Sequence, residues 1–209
     1  MLITPADGWA RRGKLIGLLL WPGALFYALY NYLVYALAMP FGLTYVLYLL
    51  MITIGGCLLV DLVASIDQAA VQQRLSGAVP EQLAGGILIG IGVLIFLRTI
   101  VMMVSALLSG VHPSRLDVAL LTTDLVTSPI WVIGGLALWR RRPFGYGVGA
   151  GLLFQGSMLF VGLIVVLLMQ PIVGGGPLAV VDILIVFVMG FICFIPFVLF
   201  VWGIIRASA

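Results

Sequence analysis

The stretch IGVLIFLRTIVMMVSAL, Ile91 to Leu107, decides how this chain is read. It is apolar on both sides of one permanent charge, Arg98. The apolar run continues beyond it in both directions, from Gly85 to Leu108. A helix needs ~20 mostly apolar residues to cross a bilayer. The stretch therefore reads as a membrane span that carries an arginine, and an ionisable residue at membrane depth is a functional hypothesis by default.

The whole chain repeats this pattern. Its 209 residues are 64% hydrophobic and 8% charged, and the mean hydropathy is +1.30. Soluble domains average ~25% charged residues, so most side chains here must be solvated by lipid. The net charge of +3 does not point to nucleic acid, because the basic residues gather at the ends of apolar runs. Cys57 and Cys193 lie inside apolar runs, where cysteine behaves as a small hydrophobe. A single histidine, His112, excludes a haem held by two histidines and argues against a His-rich metal site. No cofactor and no metal are expected.

Six segments are long enough to span: residues 15–39, 42–60, 85–108, 118–139, 147–170 and 178–205. The fold class expected is all-α, a polytopic integral membrane protein with six transmembrane helices in one bundle and one domain over residues 1–209. The first segment, preceded by Arg11, Arg12 and Lys14, is too long for a signal-peptide core of ~7–15 residues, so a retained helix is expected. With the N-terminus in the cytoplasm, Arg11, Arg12, Lys14, Arg74, Arg140, Arg141, Arg142 and Arg206 fall inside and Arg115 alone falls outside. That bias places both termini in the cytoplasm. The connection after the second span reads as an interfacial helical extension over residues 61–74, with Leu62, Ile66, Ala69 and Gln73 at helical spacing. Pro80 and Glu81 suit the first turn of the third span. Pro40-Phe41-Gly42 and Pro143-Phe144-Gly145 form a faint internal echo, which leaves an inverted repeat open.

Depth can be counted at ~1.5 Å per residue. Arg98 then lies roughly 15 Å below the outer end of the third span, and Asp124 roughly 9 Å below the outer end of the fourth. Arginine can snorkel several ångströms, so the two charges can meet. Asn31 of the first span and Asp182 of the sixth reach the same layer. Arg98, Asp124, Asn31 and Asp182 are the candidate intramembrane ion pair or ligand cluster. A structural Arg–Asp pair that fixes helix contacts and a ligand or ion site both remain open. Gln155 lies nearer the middle or the inner half, outside this cluster. His112, Arg115 and Asp117 fall in an external turn, where Ser114 or Asp117 can start the fourth span.

Arg140, Arg141 and Arg142 are expected to meet anionic lipid headgroups on the cytoplasmic side. Gly86 and Gly90, Gly145 and Gly149, and Gly147 and Gly151 have the four-residue spacing of closely packed membrane helices. Pro22, Pro129 and Pro196 are expected to kink their spans. Trp21, Tyr27, Tyr30 and Tyr35 read as interface anchors and packing groups.

No GxSxG, HExxH, CxxC or phosphate loop is present, and no lysine sits in a span to carry a Schiff base. No catalytic residue is therefore nominated, and an enzyme is the last-ranked reading. The stretch LWRRRPFGY (Leu138–Tyr146), preceded by Asp124 and Pro129, with SID at Ser65–Asp67 and GG at Gly85-Gly86, resembles a family of small prokaryotic polytopic membrane proteins without an assigned function. The resemblance covers roughly the second to the fifth span and implies no activity and no catalytic residue.

The function expected is that of a non-enzymatic integral membrane protein, an accessory or stabilising subunit of a membrane complex in a prokaryotic cytoplasmic membrane. Its partners would be the bilayer, anionic headgroups, and a membrane protein or a second copy of itself. A small transporter or ligand-binding sensor built on Arg98 and Asp124 is the competing expectation. It requires a cavity that reaches Arg98.

Overall fold

The computed structural model describes residues 5–110, 112–174 and 180–207. The glycine-rich connection over residues 175–179, including Leu178 at the expected start of the sixth span, lies outside the described residues, as do the side chains of Arg11, Arg12 and Lys14. The described residues form seven helices: α1 (Pro5–Ala38), α2 (Leu43–Ser65), α3 (Gln68–Leu75), α4 (Glu81–Ser109), α5 (Arg115–Trp139), α6 (Pro143–Gly174) and α7 (Val180–Ala207). No strand occurs among the described residues. Six of the helices are long and apolar enough to cross a membrane, all except α3. The fold is all-α, and the chain is a membrane protein by the length and hydropathy of these helices.

Local chemistry sets the helix ends. The expected extension of the second span is divided in two. Ile66 is extended, and Asp67 caps α3 by accepting the Ala70 amide at 3.0 Å. Asp67 thus competes with helix continuation, the usual effect of Asp at an N-cap. At the start of α5, Ser114 and Asp117 form a reciprocal capping box, the role the sequence offered them. The end of α5 closes differently. The amide of Arg142 donates to Ala137 O and that of Arg141 to Leu138 O, while Arg141 takes φ of 53°. This is a Schellman turn with arginine where glycine is usual. A left-handed non-glycine residue costs roughly 1–2 kcal/mol, so the surrounding turn must hold it.

Packing is concentrated at one end of the bundle. The buried side chains include Leu75, Val79, Ala84, Leu88, Leu138 and Tyr146, all near the end that carries Arg140. Gly145 sits against the backbone of Ala137 and Leu138, so any side chain there would collide with α5. Gly85 and Gly135 bring α4 and α5 together, and Gly23 meets Gly151 where α1 crosses α6. Gly90, by contrast, faces open space. Of the glycines with i, i+4 spacing, Gly86, Gly145, Gly147, Gly149 and Gly151 each lie against a neighbouring helix, and Gly23, Gly85, Gly92 and Gly135 make further close approaches.

The opposite end, near Gly110, is loosely packed. After Gly92, Thr99 is the one buried residue of α4 among those described. α2 has no buried residue and packs mainly on α1, partly through Tyr48, whose ring lies 6.0 Å from Tyr32 and 5.7 Å from Tyr35. The first half of α7 is likewise largely exposed, and Cys193 begins its buried part.

Candidate functional site

Helices α4 and α5 run antiparallel, and their contacts give the register. Gly85 meets Gly135 and Trp139, and seven residues later Gly92 meets Ser128 and Val132. Seven more residues place Thr99 opposite residues 121–125. Arg98 and Asp124 therefore share a level, closer than the roughly 15 Å and 9 Å counted for them from the span ends. They do not share a face. Successive helix positions point 100° apart, so Thr99 is fully buried and Arg98 is exposed. The expected Arg98–Asp124 ion pair is not formed: among the described residues, Arg98 makes no hydrogen bond and no ion pair, although its charge acts on Asp124 through space.

Asp124 is held instead by Tyr30. The Tyr30 hydroxyl donates to Asp124 Oδ1 at 2.8 Å and ties α1 to α5 across 94 residues of sequence. From the sequence Tyr30 reads as an interface anchor or packing group. Its place beside Asn31, at the depth counted for Asp124, was the available signal. Asn31 does not join the group. Its Nδ2 donates to Tyr27 O at 2.8 Å, one turn back on its own helix. Asp182 does not join either, being exposed in the first turn of α7. Of the four nominated residues, Arg98, Asp124 and Asn31 share a level, but no hydrogen bond or ion pair joins any two of them.

Deeper in the core, Trp131 Nε1 donates to Gln155 Oε1 at 2.6 Å, with both side chains buried. Thr99 Oγ1, Ser128 Oγ and Gln155 Nε2 are buried without a hydrogen-bond partner. Thr123 and Thr127 return their hydroxyls to carbonyls of their own helix, Ala119 O and Thr123 O.

A second polar group lies at the Arg140 end, and the sequence reading missed it. Glu81 is 5% exposed. Its Oε1 accepts the Gly77 amide at 2.8 Å and the Tyr146 hydroxyl at 2.9 Å. Tyr146 is fully buried. Beside it, Gln72 Nε2 donates to Arg141 O at 2.6 Å. Together these bonds join the α3–α4 connection to the α5–α6 turn. The signal was Tyr146 set between two glycines directly after the arginine run. Arg140, Arg141 and Arg142 all have exposed side chains.

Comparison of the chain with family models, curated proteins and solved structures finds no match. The site therefore has to be interpreted from its own geometry. Among the described residues no group of three or more His, Cys, Asp or Glu could hold a metal ion. Two cavities formed by the described residues, one between α1, α2, α5 and α6 and one beside Val101 and Val104, are lined by neither Arg98 nor Asp124.

Proposed function

We propose that this chain is a non-enzymatic membrane subunit that docks on a partner helix through the exposed face of α4, in the cytoplasmic membrane of a prokaryote with both termini inside. The observation that carries this reading is Arg98. It is exposed on a spanning helix, about 16 Å from the Ser109 end by helical rise, and among the described residues it makes no hydrogen bond and no ion pair. A guanidinium in hydrocarbon costs several kcal/mol, roughly 2.5–3.5 by insertion measurements at a helix centre. A carboxylate from a second chain at the same depth removes that cost and fixes the docking register. Leu94, Arg98, Val101 and Met102 lie on one exposed face and would form the contact. The loose packing of the Gly110 end supports the same reading. The resemblance around Leu138–Tyr146 is compatible with it and supplies no activity.

The test is photo-crosslinking in native membranes from positions 94 and 101. The expected result is one discrete protein adduct, a partner subunit or a second copy, that disappears in Arg98→Leu. Lipid adducts alone from both positions, with or without Arg98, would overturn the proposal.

The transporter or sensor reading draws on a different observation, the Tyr30–Asp124 pair at the level of the unpartnered Thr99 hydroxyl. Thermal stabilisation by a small anion or cation, abolished in Asp124→Asn, would favour it.

A further inference from the structure

A cavity of about 280 Å³ opens between α1, α2, α5 and α6. Its cause is the position of α2, which packs mainly on α1 and leaves a gap toward α5 and α6. The lining is apolar throughout, with Leu59 and Val63 from α2, Ile130 and Ile133 from α5, and Phe144 and Val148 from α6. All of these lie in the half of the bundle that ends at Arg140. Leu59 and Val63 are in the last two turns of α2, and Phe144 is in the first turn of α6. The volume is slightly below the ~300–1,000 Å³ of small-molecule pockets, and no polar group converges on it to orient a ring or headgroup inside. That shape and chemistry suit a slender hydrocarbon chain.

The charge stands at the mouth. Ile130 and Ile133 share one face of α5, and Arg140, the C-cap residue of that helix, follows Ile133 by seven residues. α5 ends at Trp139, which puts Arg140 just beyond the apolar lining. Arg142 lies two residues before Phe144, and both are exposed. The acids nearby do not cancel this charge. Asp61 is exposed on the far side of α2 from Leu59 and Val63, and Asp67 is engaged in capping α3. Glu81 is buried beneath Tyr146 and already accepts two hydrogen bonds.

We infer that this cavity binds one anionic phospholipid, an acyl chain lying between α2 and α5 and the phosphate meeting Arg140 and Arg142. The site is independent of any docking at α4, since it lies on other helices and at the other end. The bound lipid also fills the space that α2 leaves, and so holds α2 to the bundle.

The experiment is native mass spectrometry of the full chain, delipidated in mild detergent and reloaded with phosphatidylglycerol or phosphatidylcholine of identical acyl chains. One retained phosphatidylglycerol per chain is expected, favoured over phosphatidylcholine by at least about fivefold, as one basic residue at an anionic surface gives. The double variant Arg140→Gln/Arg142→Gln should bring the two lipids within about twofold of each other, since each basic contact contributes that preference. Ile133→Phe, which fills the cavity without touching charge, should lose the retained lipid of either headgroup. Equal retention of both lipids by the unaltered protein would overturn the headgroup assignment. Retention unchanged in Ile133→Phe, no retained lipid at all, or a co-purifying protein or isoprenoid in its place would overturn the site.

Discussion

The two ends of the bundle use the same kind of acidic group differently. At the Arg140 end, Glu81 is buried and accepts two hydrogen bonds from its own chain, one from Gly77 N and one from Tyr146. At the Gly110 end, Asp124 is half-buried and accepts one, from Tyr30, while Arg98 at its level has none. A buried polar network adds rigidity when each member is satisfied, and is costly when one is not. The Arg140 end is thus closed by internal bonds. The Gly110 end keeps bonding capacity that none of the described residues uses.

The comparison can be broken most directly at Glu81. Glu81→Ala removes the carboxylate that accepts from the buried Tyr146 hydroxyl and from the Gly77 amide, and should destabilise the protein by about 2 kcal/mol in a detergent melt, since Ser76 remains beside Tyr146 and Gly77 is exposed. A loss below about 1 kcal/mol would mean that the closed end is no tighter than the open one.

Arg98→Leu should act with the opposite sign. Removing a charge that bonds to none of the described residues should raise stability of the isolated chain in lipid vesicles by about 1–2 kcal/mol, less than the full cost at a helix centre. A loss of similar size would show that Arg98 has an internal partner, and the contrast between the ends would fail. The smallest effect is expected at Tyr30. Tyr30→Phe should cost about 1 kcal/mol, because Asp124 is only half-buried and keeps some access to its surroundings. An effect equal to that of Glu81→Ala would make the two ends equivalent.

Much of the fold was legible because bilayer thickness is written into the sequence as run length. Six apolar runs correspond to six long helices. Depth was legible only coarsely: the count sets Arg98 and Asp124 about 6 Å apart, and the register of α4 on α5 puts them at one level. The face was not legible. One residue is a turn of 100°, and a charge and its neighbour differ by just that much. Thr99 took the inward position and Arg98 the outward one. No hydropathy pattern distinguishes them, because in lipid both faces of α4 are apolar. The Glu81–Tyr146 bond was hidden by its separation of 65 residues and by the position of Glu81, where an acid at a helix start has a sufficient local explanation. The break between α2 and α3 was readable from Asp67, a good N-cap, but the helical spacing of Leu62, Ile66, Ala69 and Gln73 outweighed it.

The crossing of α1 on α6 has a consequence for the order of synthesis. Gly23 meets Gly151, and 128 residues separate them. A ribosome adding ~5–20 residues per second needs roughly 6–26 s to make that interval. During this time α1 and α2 stand in the bilayer as a hairpin whose main docking surface does not yet exist. The chain must insert first and compact later, and its first two helices have to survive the wait on their hydropathy and their tyrosine contacts alone.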